Sequence, residues 1–126
     1  MTSLKRSLVA AVSAAPLLLL TACGGGGSGS SSAPPSDADL VVIGKEYKFD
    51  KPEYTVKAGS VKISYTDKGT LTHSLIVEGF PGSKMNLGPG QTKTKAVTLP
   101  AGTYKLYCDL SGHEALGMKS VLVVQA

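Results

Sequence analysis

The sequence predicts an all-β domain, either a sandwich or a barrel, over roughly its last 90 residues. From Leu40 onward no window shows sustained helical periodicity, whereas short β-branched runs separated by Gly and Pro recur about every 8 to 12 residues. After Gly59, apolar and polar residues alternate with the period of two that is typical of an antiparallel sheet. Hydrophobic residues make up 42% of the chain and charged residues 17%, which indicates a folded chain rather than a disordered one.

About seven or eight strands are predicted, most of them bounded by Gly or Pro. In chain order they span residues 40–43, 45–49, 54–57, 61–66, 73–77, 92–98, 102–108 and 118–124. In the fourth, the alternate residues expected to face the core are Val61, Ile63 and Tyr65. The residues expected to face water are Lys62, Ser64 and Thr66. Turns are expected at Gly79, Pro81-Gly82, Gly88-Pro89-Gly90 and Pro100-Ala101-Gly102, and residues 109–117 are predicted to form a loop or a single helical turn.

The N-terminus has the features of a secretory signal peptide, predicted to span residues 1–22. Lys5 and Arg6 precede an apolar run over residues 8–20, which is shorter than the roughly 20 residues that span a bilayer as a helix. The tetrad Leu-Thr-Ala-Cys that ends at Cys23 resembles the lipobox of bacterial lipoproteins, so Cys23 is predicted to carry a lipid. Ordinary secretion with a free Cys23 is the alternative. The expected location is extracytoplasmic and lipid-anchored, on the periplasmic side or the cell surface.

Residues 23–36 are predicted to be a lipidated linker rich in Gly, Ser and Pro, and residues 37–126 the folded domain. Loss of the signal peptide with its two basic residues lowers the formal net charge from +4 to +2. A net charge of +2 is too small for the basic surface that a nucleic-acid-binding protein needs, so no nucleic-acid partner is expected.

Cys108 is the residue that most needs explanation, because acylation of Cys23 leaves it without a disulfide partner in an oxidising compartment. A lone buried thiol is common, and so are lone histidines and core methionines. Here, however, Cys108, His113 and Met118 form one C-x4-H-x4-M segment, and the only other histidine, His73, begins a different predicted strand. This arrangement favours a metal site over four unrelated residues.

The spacing suits a compact ligand loop between two strands. Cys108 ends one predicted strand, Met118 begins the next, and the residues between them can fold His113 back toward both. Gly112 and Gly117 each precede a candidate ligand, and glycine permits the positive φ that a tight loop needs. Two imidazoles, one thiolate and one weak thioether constitute the ligand set of a type 1 (blue) copper site. In such a site the methionine tunes the reduction potential.

On these residues the chain resembles the cupredoxins, the family of small blue copper proteins that includes plastocyanin and azurin. The four-residue gaps on either side of His113 make the copper loop similar to those of rusticyanins and auracyanins. Ser74 stands where many members have an asparagine that braces this loop, and a serine hydroxyl can still hydrogen-bond across it. Further matching segments are Phe49-x2-Pro52, Val56-x2-Gly59, Pro89-Gly90, Gly102-Thr103-Tyr104 and Tyr107-Cys108.

The resemblance implies a two-sheet Greek-key β-sandwich that holds one copper ion and is not an enzyme. Its implied ligands are His73, Cys108, His113 and Met118. It also implies single-electron exchange with redox proteins through the edge of His113, with Tyr107 as a second electron route, and a monomer is expected. The residues that could form an apolar docking surface are Pro89, Ala115 and Leu116, and Met85 is an unfavoured extra thioether ligand, expected instead to pack or to lie at the surface.

Four alternatives stay open at this point. Zinc also binds thiolate and imidazole, although the thioether favours copper and the paired spacings of zinc modules are missing. A hydrolase is weaker, since there is no G-x-S-x-G motif and Ser74 would point away from His73 on the same strand. A copper-binding lipoprotein for delivery or sequestration is the main rival. The fourth is a binding sandwich with a vestigial site.

Overall fold

The computed structural model describes Pro35 and residues 37–126, which form an all-β domain. Within these residues there is no helix, and the predicted fold class is confirmed. The predicted signal peptide, Cys23 and most of the linker lie outside the described residues. The nine strands are β1 (Leu40–Lys45), β2 (Lys48–Phe49), β3 (Glu53–Lys57), β4 (Gly59–Asp67), β5 (His73–Val77), β6 (Phe80–Leu87), β7 (Thr92–Leu99), β8 (Gly102–Tyr107) and β9 (Lys119–Gln125).

The strands form a two-sheet sandwich. The four-stranded sheet has the order β2-β1-β4-β7, and the five-stranded sheet has the order β3-β9-β8-β5-β6. The pairs β1–β4 and β3–β9 are parallel, and the remaining pairs are antiparallel. Between the sheets lies one core of buried apolar side chains, including Ile63, Leu75 and Leu106, each at most 1% exposed.

Strand β4 shows where the alternation rule holds and where it fails. Val61, Ile63 and Tyr65 are buried in the core, as predicted. Ser64 and Thr66, predicted to face water, are fully buried, so that part of the prediction is wrong. The physical reason is the position of β4 between β1 and β7, where neighbours on both strands cover its small side chains.

Strand β6 includes Pro81-Gly82, where the sequence predicts a turn, so that prediction is wrong. The turn occurs earlier, at Gly79, which has a φ of 84°, and β6 begins at Phe80. A proline is tolerated in β6 because this strand is the edge of its sheet and its backbone needs fewer ladder hydrogen bonds. Met85 in this strand is 1% exposed and packs in the core.

The predicted strand over residues 45–49 is interrupted by a turn. Lys45 is the last residue of β1, and Glu46 and Tyr47 form a two-residue turn into β2. The pairing of Gly44 with Phe49 and of Lys45 with Lys48 shows that β1 and β2 form a tight antiparallel hairpin. This turn lies at the end of the sandwich where β1 and β4 both terminate, since those two strands are parallel.

Tyr54 on β3 is buried, and its hydroxyl contacts Asp50 in the preceding loop. We expect the ionisation of this tyrosine to lower the stability of the protein at high pH. Burial first, and then the hydrogen bond that its hydroxyl donates to Asp50 Oδ1 at 2.7 Å, raise the pKa of Tyr54 well above its usual value of 10.0. Because the folded state holds the neutral phenol, this contribution is fully present below pH 10. It is lost above pH 10, at about 1.4 kcal/mol per pH unit.

We therefore expect the urea midpoint of the protein to fall between pH 9.5 and 11.5, and to fall less steeply in Tyr54→Phe. Tyr65, whose pKa burial also raises, supplies a second contribution that this variant keeps. Urea unfolding followed by circular dichroism over this pH range measures both slopes. Equal slopes for the two proteins would show that Tyr54 is not responsible.

Candidate metal centre

Three neighbouring strands bring the predicted ligands to one end of the five-stranded sheet. Strand β8 is antiparallel to both β5 and β9, so its end lies beside the beginnings of those two strands. His73 is the first residue of β5, Cys108 directly follows β8, and Met118 directly precedes β9. We call this end of the sandwich the ligand end.

The segment between Cys108 and Met118 is a series of tight turns closed by backbone hydrogen bonds. The Cys108 N–H donates to the Met118 carbonyl at 3.1 Å, and the Met118 N–H donates to the His113 carbonyl at 3.0 Å. Gly112 has a φ of 82° and Gly117 a φ of 114°, the left-handed region that glycine adopts without steric cost. These turns fold His113 back over the strand ends.

The side chains of His73, Cys108 and His113 converge, and one donor atom from each lies within 4.8 Å of the others. The two Nδ1 atoms are 3.2 Å apart, and Cys108 Sγ is 3.6 Å from His113 Nδ1. His73 and Cys108 are fully buried, whereas His113 is half-buried. One imidazole therefore extends from a buried pair of donors toward the surface.

These separations suit a single first-row transition-metal ion. Metal–nitrogen bonds of about 2.0 Å and metal–sulfur bonds of about 2.3 Å are long enough for one ion to bridge either of these two separations. Two imidazoles and one thiolate in this arrangement fit a type 1 copper site.

Met118 is fully buried beside these donors, at the base of the loop. Its terminal methyl and the hydroxyl of Tyr65 converge over Gly44, the residue before the end of β1. A Cβ at Gly44 would lie 3.2 Å from Met118 Cε and 2.5 Å from Tyr65 Oη. Gly44 thus provides the space in which the methionine and the buried tyrosine pack.

Ser74 connects the thiol to the loop. Its backbone N–H donates to Cys108 Sγ at 3.3 Å, and its hydroxyl oxygen lies 3.4 Å from the same sulfur. The hydroxyl has one proton and is only 2.7 Å from Asp109 Oδ1, which we take as its acceptor, while the Asp109 N–H donates back to Ser74 Oγ at 3.0 Å. The sulfur therefore keeps the backbone donor, and the side chain of Ser74 ties β5 to the loop.

Asp109 is also paired with a lysine. Lys84 contacts its Oδ2, and this hydrogen bond, followed by the one from Ser74, holds the pKa of Asp109 below its usual value. The carboxylate therefore stays ionised beside Cys108. It links β6, β5 and the ligand loop through two side chains.

Sequence reasoning missed Glu46 and Tyr47, the two residues of the β1–β2 turn. Glu46 Oε1 lies 3.5 Å from His73 Nε2, and Tyr47 packs edge-on against His113 with 4.9 Å between ring centroids. A hydrogen bond from the Thr70 N–H is the main reason that the pKa of Glu46 is lowered to about 2. No spacing rule could have identified this turn, because it lies 27 and 66 positions from the two histidines.

The surface of the ligand end is partly apolar. Leu116 is 63% exposed and Leu71 is 45% exposed, and Pro89 and Ala115 are exposed as well. Leu71 was not singled out from the sequence, because its exposure depends on the β4–β5 loop. Single exposed apolar residues are ordinary on protein surfaces, but four in the loops at one end of the sandwich make that end a candidate for protein contact.

Unlike the apolar surface of the loops, the surroundings of Tyr107 carry charged side chains. Lys105 Nζ lies 4.5 Å from the centroid of the Tyr107 ring and is paired with Glu114 at 2.7 Å and Glu78 at 3.2 Å. The hydrogen bond to Glu114 is the largest of the effects that raise the pKa of Lys105. A charged cluster therefore borders the Tyr107 ring.

Comparison with known proteins identifies the fold. Neither a protein-family model nor a curated protein matches the sequence. Among solved structures, the chain is similar to Na-dithionite-reduced auracyanin from the photosynthetic bacterium Roseiflexus castenholzii, with a TM-score of 0.62, 23% identity, and coverage of 69% of this chain and 96% of that one. It is also similar to auracyanin B, with a TM-score of 0.59, 17% identity, and coverage of 71% and 91%. The chain therefore has the cupredoxin fold of the auracyanins.

Proposed function

We propose that this protein is a type 1 copper electron carrier and not an enzyme. The observation that carries the proposal is the convergence of one buried thiol and two imidazoles, His73, Cys108 and His113, within 4.8 Å. The cupredoxin fold supports it. His73, Cys108 and Met118 lie at neighbouring strand ends of the sandwich, and His113 lies in the loop between β8 and β9. Bound copper would supply the one-electron Cu(I)/Cu(II) couple.

The protein's own part in electron transfer is to hold the donors rigidly and to expose one of them. Cys108 and His73 are fully buried, so partner proteins cannot reach them directly. His113 is half-buried, and Leu116 and Leu71 are exposed in loops at the same end of the sandwich, where they offer an apolar contact surface for a redox partner. Tyr107 is proposed as a second route, bordered by the charged Lys105 cluster.

Copper delivery or sequestration is the second candidate. It requires ligand exchange with a partner, for which ligands must become accessible. The full burial of Cys108 and the backbone hydrogen bond to its sulfur favour retention of the metal instead. Zinc is disfavoured because a thioether such as Met118 is a soft ligand that suits copper.

A visible absorption spectrum tests the proposal directly. The purified protein is titrated with Cu(II), then reduced with ascorbate and reoxidised in air. We expect an intense thiolate-to-copper band at one equivalent that bleaches on reduction and returns on reoxidation. A colourless protein, or one with only weak copper absorption, would rule out a type 1 site.

We further propose that a lipid on Cys23 anchors the protein outside the cytoplasmic membrane, where it acts as a monomer between extracytoplasmic redox proteins. The support is the lipobox-like tetrad and the signal peptide in the sequence. None of the described residues belongs to a helix of sufficient length and apolarity to cross a bilayer.

The anchor has its own test. Cys23→Ser removes the thiol that would be acylated, so we expect the protein to move from the membrane fraction to the soluble fraction. Immunoblotting of fractionated cells measures the distribution, with the wild-type chain as the reference. Retention of the variant on the membrane would contradict lipid anchoring at Cys23 and leave the copper site unaffected.

A further inference from the structure

The Glu46 carboxylate lies behind the imidazole of His73, on the side away from the other metal donors. Glu46 Oε1 is 3.5 Å from His73 Nε2, whereas His73 Nδ1 is 3.2 Å from the Nδ1 atom of His113. Each ring nitrogen of His73 therefore has a different neighbour. The carboxylate is not placed to be a metal ligand, because the ring stands between it and the converging donors.

The carboxylate is held in this position by the loop that leads into β5. Its Oε1 accepts hydrogen bonds from the Thr70 N–H, from the Leu71 N–H at 3.0 Å and from the Thr70 hydroxyl at 3.2 Å. Gly69 makes room for this arrangement. A Cβ at Gly69 would lie 2.5 Å from Glu46 Oε1 and 3.0 Å from His73 Nε2.

His73 Nε2 needs a partner. It is buried and makes no hydrogen bond among the described residues. A neutral imidazole has one N–H, and a ring that binds a metal through Nδ1 must have its proton on Nε2. The nearby carboxylate is the acceptor that can satisfy it, since a shift of about 0.5 Å brings the 3.5 Å contact into hydrogen-bond range.

We propose that Glu46 is a positioning residue for the metal ligand His73. It selects the tautomer in which Nε2 is protonated and Nδ1 is free, and it orients the ring toward Cys108 and His113. Its negative charge also favours Cu(II) over Cu(I). This inference rests on the proposed copper function. It adds a carboxylate that sets the tautomer and orientation of His73 from the Nε2 side of the ring.

Three variants separate these effects. Glu46→Ala removes both the acceptor and the charge, and Glu46→Gln keeps a carbonyl Oε1 but removes the charge. Glu53→Gln is the matched control, because Glu53 is an exposed glutamate on β3 that forms no ion pair within the described part of the chain. Two readouts are used: the tautomer of His73 in the metal-free protein, from ¹H–¹⁵N NMR of the imidazole, and the affinities for Cu(II) and Cu(I).

In the wild type and in Glu53→Gln we expect the Nε2–H tautomer of His73. In Glu46→Ala we expect a mixture of tautomers and a Cu(II) affinity lower by about 10 to 100-fold, the usual cost of losing a partner that orients a ligand. Glu46→Gln should retain the tautomer but bind Cu(II) about tenfold less tightly relative to Cu(I). That ratio corresponds to a rise of about 59 mV in reduction potential.

The outcomes distinguish this inference from the proposed function. If both Glu46 variants match Glu53→Gln in tautomer and affinities while the wild type shows the thiolate-to-copper band, the positioning role is wrong and the copper site stands. If the wild type shows no such band, the copper function is wrong. Should Glu46→Ala fail to fold, the other two proteins still decide the inference. The Nδ1–H tautomer of His73 in the metal-free wild type would overturn the positioning role, and an unchanged ratio of Cu(II) to Cu(I) affinity in Glu46→Gln would overturn the role of the charge.

Discussion

Cys108→Ser should abolish the intense visible band of the copper-loaded protein. The band requires a thiolate bound to copper, and Cys108 is the only cysteine among the described residues. A serine hydroxyl at the same place does not ionise near neutral pH and is a hard donor, so the remaining imidazoles would hold Cu(II) weakly and with only weak colour. We expect complete loss of the band, measured at one equivalent of Cu(II).

Cys23→Ser is the matched control for this variant, since it makes the same chemical change in the predicted linker. It should retain the full band while losing membrane association. Serine is similar in shape to cysteine, although slightly smaller, and its hydroxyl can accept a hydrogen bond from the Ser74 N–H, so we expect Cys108→Ser to fold. Circular dichroism checks this. An intense band in folded Cys108→Ser would show that Cys108 is not the ligand.

Gly44→Ala should destabilise the domain and disturb the site together. The added methyl would lie 2.5 Å from the hydroxyl of Tyr65 and 3.2 Å from the terminal methyl of Met118, and both side chains are fully buried. A fully buried side chain cannot move out into solvent, so the β1 backbone or the tyrosine ring must shift. Overpacking of this kind costs about 1 to 3 kcal/mol of the free energy of unfolding.

The same shift moves Met118, so the visible spectrum and the reduction potential of the copper-loaded protein should change as well. Gly82→Ala is the control, because a Cβ at Gly82 meets nothing within 4 Å. It should leave stability and spectrum unchanged. Urea unfolding and visible absorption measure both effects, and a Gly44→Ala protein as stable as Gly82→Ala would contradict the packing described for Tyr65 and Met118.

The strands with clear local patterns could be predicted, and the errors occurred where a neighbouring strand changes the environment. The apolar residues of β4 are buried as the alternation requires, but Ser64 and Thr66 are also buried because β1 and β7 flank them. Residues 80–87 contain alternating buried positions at Ser83, Met85 and Leu87, yet Pro81 suggested a turn. Only the place of β6 at the sheet edge makes that proline compatible with a strand.

The fold class and the candidate ligands could be predicted from the amino-acid sequence, because both depend on short-range information. Strand periodicity is local, and the spacing from Cys108 through His113 to Met118 lies within a single loop. An unpaired cysteine predicted to be exported, together with both histidines of the chain, was enough to suggest copper.

The residues that surround the candidate ligands could be identified only from the three-dimensional fold. Glu46 and Tyr47 belong to a short turn with no distinctive motif, and they reach the histidines only because the parallel pairing of β1 with β4 brings that turn to the ligand end. Gly44 acquires its role in the same way, through contact with side chains from β4 and from the loop before β9. Such contacts join residues that are distant in sequence, and their energies depend on packing that no local pattern records.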